Sequence, residues 1–483
     1  MVSRLTVIVL ATLLPVGCAV GPDFTRPDPH VPTSWSATAT AGALTTEPVA
    51  QWWGTFQEPM LTSLIERSTT SNLDLQATVL RISAARAQRE VAAAGFLPKI
   101  DANASFTRQR LSERTATGAV FTNLGGASIP GAPAISFPNP YNQYQLGASA
   151  SWEIDLFGRV RRSVEAANAD LEASVEDRHA VLVSLSADVA RSYIELRGAQ
   201  LRKDVTERSL ATQTELYDLT RQRRAVGLTT ELDVANAGAQ LDSTRAQVPQ
   251  LEREVTQDIN ELSLLLAREP DALRAELESS RPVPPVPPEL PVGLPADLAR
   301  RRPDIRRAEA GLHAATARIG VAVGDLFPRL ILSASGGTQS EGAADLLKWA
   351  SRFGSIGPSF EMPLFDGSRW ATVKLQNIRA QAAALDYQRT VLSALHEVEN
   401  ALAAYKADRT RGASLAAAVE QSRDALNLAR ERYSSGVANF IDVLDAERNL
   451  QQNELSLAAN TTAIANDLVA IYRTLGGGWQ GSS

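Results

Sequence analysis

Along the chain the spacing of apolar residues alternates between a period near 3.5 and a period of two, and it does so twice. Two proline-free stretches, Arg159 to Val226 and Ser368 to Ser435, each run for 68 residues. In the second, Val391, Leu395, Val398, Leu402 and Tyr405 step by 4, 3, 4 and 3, a heptad seam. Leu182, Val189, Tyr193 and Leu196 hold the matching places in the first. A continuous helix of that length extends about 100 Å at about 1.5 Å per residue. No globular core is that deep, so such helices have to pack side by side as coiled coils. Gly227 and Gly436 end them, and Thr230 and Asn439 are placed to cap return helices. The pattern predicts two long helical hairpins.

Before each hairpin the period falls to two. In 99–107, Ile100, Ala102, Ala104 and Phe106 alternate with Asp101, Asn103, Ser105 and Thr107. In 144–154, Tyr144, Leu146, Ala148, Ala150, Trp152 and Ile154 alternate with mostly polar residues. These are strands with one oily and one polar face. The pattern recurs less cleanly at 328–335 and 355–364, where Ile356, Phe360, Met362 and Leu364 are expected to share a face. On the strands alone, a soluble sandwich and a membrane barrel are equally good readings. Strands that run almost directly into such long helices do not suit a sandwich. Four strands, however, are too few to close a barrel, because transmembrane barrels have about eight or more and an open edge in lipid is forbidden. A barrel reading therefore requires oligomerisation.

The two pattern cycles are copies of one unit. "GLTTELDVANAGAQL" and "GVANFIDVLDAERNL" align without a gap at an offset of 209 (436 minus 227). "SWEIDLFGR" matches "SFEMPLFDGSR", and "GFLPKI" answers "GDLFPRL". Between the copies, "RPVPPVPPELPVGLP" favours extended polyproline geometry and reads as a stiff linker. The expected organisation begins with a signal peptide at 1–17 and a lipidated, extended segment at 18–56. A first repeat follows at 57–280, with a helix, strands at about 98–112 and 141–155 and a helical hairpin at about 159–268. After the linker at 281–297 comes a second repeat at 298–475, with strands at about 328–336 and 353–364 and a hairpin at about 368–475, then a tail at 476–483.

Composition removes several function classes. A net charge of −6 without a dense basic patch speaks against nucleic acid. The four histidines never fall at metal-ligand spacing, so no metal site is expected. No Gly-rich phosphate loop, nucleophile elbow or paired His/Cys cluster appears, which argues against an enzyme. The single cysteine closes "MVSRLTVIVLATLLPVGC", with Arg4, an apolar run from Leu5 to Leu14 and small residues before Cys18, the layout of a secretory signal. Bacterial lipoproteins are cut before such a cysteine. Cys18 is thus expected to carry a covalent lipid, with no other cofactor, although Pro15 departs from the usual leucine of that motif.

Taken together, the doubled hairpin plan, "QWWGTFQEPMLTSLIERSTTSNLDL" (51–75), "RRPDIRRAEAGLHAATARIGVAVGDLFPRL" (301–330) and "RYSSGVANFIDVLDAERNL" (432–450) resemble the TolC-like outer-membrane efflux channels, in the lipoprotein branch typified by OprM and NodT. The resemblance covers nearly the whole chain after Cys18. It implies a homotrimer with a 12-stranded outer-membrane barrel and a 12-helix periplasmic tube. It also implies partners: a periplasmic membrane-fusion adaptor, contacted at the tip turns of Gly227 and Gly436, and an inner-membrane pump of the resistance-nodulation-division type. A non-conducting periplasmic coiled-coil lipoprotein scaffold would account for the helices and Cys18 but not for the strands.

Two aspartates at the second tip raise a question of purpose. Asp442 follows Asn439 by three, in a first helical turn where the macrodipole favours an anion, and Asp233 stands likewise to Thr230. Capping does not explain Asp445, whose counterpart in the first copy is Asn236. In similar channels the matching "DVLD" aspartates line the closed periplasmic entrance, so the resemblance implies a channel gate at Asp442 and Asp445. Rings of like charge would attract cations. The resemblance further implies a gate latch in which Tyr433 hydrogen-bonds Asp233. An arginine that reinforces closure in relatives falls at Ala438, so the resemblance leaves two readings: a weaker closed state, or one held by other residues such as Arg432 or Arg448.

Overall fold

The computed structural model describes residues 19–29, 31–32, 35, 50–115, 119, 139–287, 298 and 301–479. Cys18, the expected lipidation site, lies outside the described residues, as do the signal peptide at 1–17, most of the linker and the end of the tail. The labelled elements are α1 (Pro59–Ser71), α2 (Leu73–Ala93), β1 (Lys99–Gln109), β2 (Tyr141–Ile154), α3 (Arg159–Ala225), α4 (Glu231–Arg245), α5 (Val248–Leu265), α6 (Pro303–Gly324), β3 (Arg329–Ser340), β4 (Arg352–Glu361), α7 (Gly367–Ser434) and α8 (Phe440–Thr474). Two compact units emerge: one of Met1–Thr25, Ala85–Asp170 and Leu312–Ala382, the other of Arg26–Ala84, Leu171–Gly311 and Ala383–Ser483.

The first unit holds a four-stranded antiparallel sheet in the order β1-β2-β3-β4. Its register pairs Ile100 with Ala150, Ala102 with Ala148, Ala104 with Leu146 and Phe106 with Tyr144. Across the next two interfaces Trp152 faces Leu332 and Leu332 faces Pro358, while Ala150 faces Ala334 and Ala334 faces Ile356. Directly opposed residues share a face. One face is therefore apolar across all four strands, and Asp101, Asn103, Ser149, Ser151, Ser333, Ser335 and Ser355 lie on the other. β3 runs four residues beyond the expected Gly336. Gly336, Gly337 and Thr338 break the alternation, yet a side chain on Gly337 would come within 2.3 Å of the Leu146 carbonyl oxygen. Glycine is what lets β2 and β3 approach there. β4 stops at Glu361, so Met362 and Leu364 fall after the strand and do not share its face as expected.

In the same unit the residues just after Cys18 are strapped onto the start of α3 and the middle of α6. The Val20 N–H donates to the Phe157 carbonyl at 3.1 Å. The buried guanidinium of Arg162 donates to the Val20 carbonyl (3.2 Å), Asp23 (2.5 Å) and Glu165 (2.8 Å). Phe24 stacks on His313 with ring centroids 4.5 Å apart.

The second unit carries the main core. Every residue of both heptad seams is buried in it, and the α1 residues Leu61, Leu64 and Ile65 join them. Trp52 and Trp53 fill this core from a 3₁₀ turn, Trp52–Phe56, so the segment expected to be extended through residue 56 ends instead in a compact turn. Trp52 stacks on Tyr472 at 5.1 Å. α3 and α7 are unbroken over 67 and 68 residues. The return path of the first hairpin is not: α4 ends at Arg245 and α5 resumes at Val248 with Pro249 in its first turn. Proline lacks the N–H that would continue the ladder. At the equivalent position α8 has Ala458 and stays whole.

α3 and α8 approach so closely at Gly198 that a Cβ there would stand 2.3 Å from the Thr462 hydroxyl. We expect Gly198→Leu to destabilise the chain by about 1–3 kcal/mol through overpacking, seen as a lower melting temperature by circular dichroism. An unchanged melting temperature would show that the helix pair can separate there at no penalty.

Candidate functional site

The tips of the two hairpins, within the second unit, hold nearly all the residues singled out from the sequence. α3 and α7 both end on a left-handed glycine, Gly227 at φ +77 and Gly436 at φ +73. The Leu228 N–H reaches back to the Arg223 carbonyl at 2.8 Å, and the Val437 N–H to the Arg432 carbonyl at 2.9 Å. That six-residue closure requires the positive φ that glycine adopts without strain. Both return helices then start with an aspartate in the third position. The Asp233 carboxylate accepts from the hydroxyls of Thr229 (2.6 Å) and Thr230 (2.7 Å) and from the Thr230 N–H (3.0 Å). These donors, Thr229 foremost, hold its carboxyl below the usual range. Asp442 accepts the Asn439 N–H at 3.2 Å.

Asp442 and Asp445 are both exposed and one turn apart on α8. The nearest guanidinium to Asp445 is that of Arg448, at 4.0 Å. Arg448 gives its Nε to Gln240 of α4 at 2.7 Å.

The expected latch between Tyr433 and Asp233 is not formed. Asp233 is occupied by its three cap donors, and the Tyr433 hydroxyl is buried with no hydrogen-bond partner. The tyrosine ring instead joins a small apolar cluster with Leu216, Ala237, Leu426, Phe440, Val443 and Leu444. Its edge meets Phe440 at 5.6 Å. The Arg223 guanidinium sits 4.5 Å above its ring and donates to its carbonyl at 3.2 Å. Arg223 to Tyr433 and Arg448 to Gln240 thus tie the first hairpin to the second. Ala438 is half-buried.

Sequence reasoning missed Glu447. It is 3% exposed, on the buried stripe of α8 between Leu444 and Gln451. It accepts from the Ser209 hydroxyl of α3 at 3.1 Å and lies 3.6 Å from the Arg430 guanidinium of α7. Gln213 extends the layer, donating to Ser209 at 3.0 Å and to Gln451 at 3.4 Å. The clue in the sequence was an acid on an apolar stripe, opposite Gly238 in the first copy.

Burial pushes the Glu447 carboxyl above its usual range, and the pull of Ser209 and Arg430 in the other direction offsets this only in part. Glu454, on the same helix, adds to the rise. Such a group binds its proton more tightly in the packed tip than in an opened one. The packed tip therefore loses stability as pH climbs from the ordinary glutamate value of 4.5 through the raised one. We expect hydrogen-exchange protection of the tip turns, corrected for intrinsic rates, to fall over that range in the wild type. Glu447→Gln should flatten the fall and raise protection at neutral pH, whereas lower protection in this variant would mean that the Arg430 pair outweighs burial.

The sequence model of the outer membrane efflux protein family matches residues 64–268 and 294–477. The outer membrane protein OprJ of Pseudomonas aeruginosa is 34% identical over 464 residues, 96% of this chain and 93% of that one. Nodulation protein T of Rhizobium leguminosarum bv. viciae is 33% identical, covering 99% of this chain and 94% of its own. The solved structure of the outer-membrane channel OprN superposes with a TM-score of 0.86 at 38% identity, over 96% of this chain and all 100% of that one. The chain therefore belongs to the outer membrane efflux protein family, a family of transport proteins of the Gram-negative outer membrane.

Proposed function

We propose that three copies of this chain assemble into a passive duct across the outer membrane, the exit component of a tripartite efflux system. The observation that carries this reading is the sheet: four strands, one face apolar and exposed, and β1 and β4 each with one edge unpaired among the described residues. Three such sheets joined edge to edge give 12 strands, enough to close a barrel with the apolar face to lipid and the serine-rich face to the lumen. The helices that follow build the periplasmic tube. The lipid on Cys18 anchors the chain, and the strap of residues 19–25 holds the anchored end against the start of α3 and the middle of α6.

Asp442 and Asp445 of each copy form the gate, repeated by the three-fold axis into rings of carboxylate. The tip turns around Gly227 and Gly436 meet the periplasmic adaptor, which hands over substrate from a resistance-nodulation-division pump. Selection of substrate belongs upstream, since the duct itself offers only charge and width.

The test is conductance of the purified protein in a planar bilayer beside the Asp442→Ala, Asp445→Ala double variant. Small, cation-preferring openings are expected from the wild type, and several-fold larger openings with weakened cation preference from the variant. Clear channels unaltered by the substitutions would move the gate elsewhere. Absence of conductance from an inserted oligomer would favour the periplasmic scaffold.

A further inference from the structure

The apolar face of the sheet differs at its two ends. Where the helices join, it carries Ile154, Leu330 and Phe360 and no cation. The cations at that end, Lys99 and Arg329, stand on the opposite face and are paired with Asp101 at 3.2 Å and Asp325 at 2.5 Å. At the end away from the helices the order is reversed. Arg108 continues the apolar line Ile100, Ala102, Ala104, Phe106 one residue before β1 ends. Arg352 continues the line Phe360, Pro358, Ile356, Gly354 as the first residue of β4.

An aromatic pair precedes Arg108 on its face, and Arg352 touches an aromatic ring directly. Phe106 packs on Tyr144 at 4.7 Å, and the Arg352 guanidinium lies 3.8 Å above the Trp349 ring. Trp349 is 77% exposed and Leu347 80% exposed, in the connection between β3 and β4. Lys348, between them, pairs with Asp345.

A cation that ends an apolar strip suffers desolvation unless an anion meets it. Guanidinium presents a planar fork that matches phosphate oxygens two at a time. Exposed tryptophan and leucine beside it suit the boundary between hydrocarbon and headgroups. We propose that the outer rim formed by Arg108, Arg352, Leu347 and Trp349 binds the phosphate groups of an anionic lipid in the outer leaflet. This rests on the barrel reading, which sets the apolar face against lipid and the helix-free end outward. The asymmetry between the two ends then has a cause: Arg108 and Arg352 lie on the two edge strands, so edge-to-edge closure brings Arg352 of one copy toward Arg108 of the next at the rim that meets the outer leaflet.

The test uses the full chain in lipid nanodiscs of phosphatidylethanolamine doped with bis-phosphorylated lipid A, or with lipid A stripped of both phosphates. Native mass spectrometry counts the lipid A retained per oligomer. The wild type should retain the bis-phosphorylated form and release the stripped one, and Arg108→Gln with Arg352→Gln should cut retention roughly tenfold. Trp349→Ala alone should weaken it less. Equal retention by the double variant, or equal retention of the stripped lipid, overturns the proposal while leaving the barrel intact. Failure of wild-type protein to insert into either nanodisc overturns the barrel reading and this one with it.

Discussion

Unmet backbone hydrogen bonds at the two edges of the sheet dominate the physics of this chain. β1 and β4 each present one edge that no other strand among the described residues covers. In hydrocarbon, each bare N–H or C=O is disfavoured by on the order of several kcal/mol, so a lone four-stranded sheet with an oily face has no stable home: water rejects the face and lipid rejects the edges. Head-to-tail pairing of identical copies removes both objections, provided the ring closes. The same constraint explains side chains that are otherwise out of place. Leu364 and Phe365, 89% and 97% exposed just past β4, are large apolar groups whose proper surroundings the isolated chain does not supply.

At the hairpin tips, the two copies share their local chemistry and differ in charge. Gly227 and Gly436 close their helices in the same way, and Asp233 and Asp442 each take up an N–H that the helix start leaves unpaired. Beyond that turn the copies part: Asn236 and Gly238 stand where the second copy has Asp445 and Glu447. Of those two carboxylates, one stays in water and the other is taken into the packing. The second hairpin therefore carries acid both on its surface and within its joint to α3.

Much of this was legible in the sequence because it depends on period alone. A heptad seam fixes which side of α3 and α7 is buried, and alternation fixes the faces of β1 and β2. The tip turns were legible for the same kind of reason, since only glycine suits their backbone. What failed depended on competition between partners. Tyr433 and Asp233 are a plausible donor and acceptor, but Thr229 and Thr230 are nearer in sequence and satisfy the carboxylate first. Period also fell silent where glycines replaced side chains, so the last four residues of β3, Gly337 to Ser340, were invisible until its pairing with β2 was known. Pro249 broke a helix that its pattern alone would have continued. Glu447 was overlooked because an acid on a buried stripe gains meaning only from the serine of another hairpin and the arginine of α7.

The distribution of packing along the second unit argues for where motion belongs. Its main core binds α1, both heptad seams and the aromatic group around Trp52 into one continuous apolar mass. The tips share only a small separate cluster around Tyr433 and Phe440. Between the two lies a layer of Ser209, Gln213, Glu447 and Gln451, all buried, in which the Glu447 Oε2 and the Gln213 Oε1 have no hydrogen-bond partner. Local stability follows the amount of well-packed apolar contact and the completeness of polar pairing, and both fall toward the tips. Splaying the tips exchanges a small cluster and an under-satisfied polar layer for water, whereas splaying the helices higher up would break the main core. In the duct we propose, an entrance that has to open repeatedly without unfolding its walls is best built at the tips, beside the exposed carboxylates of Asp442 and Asp445.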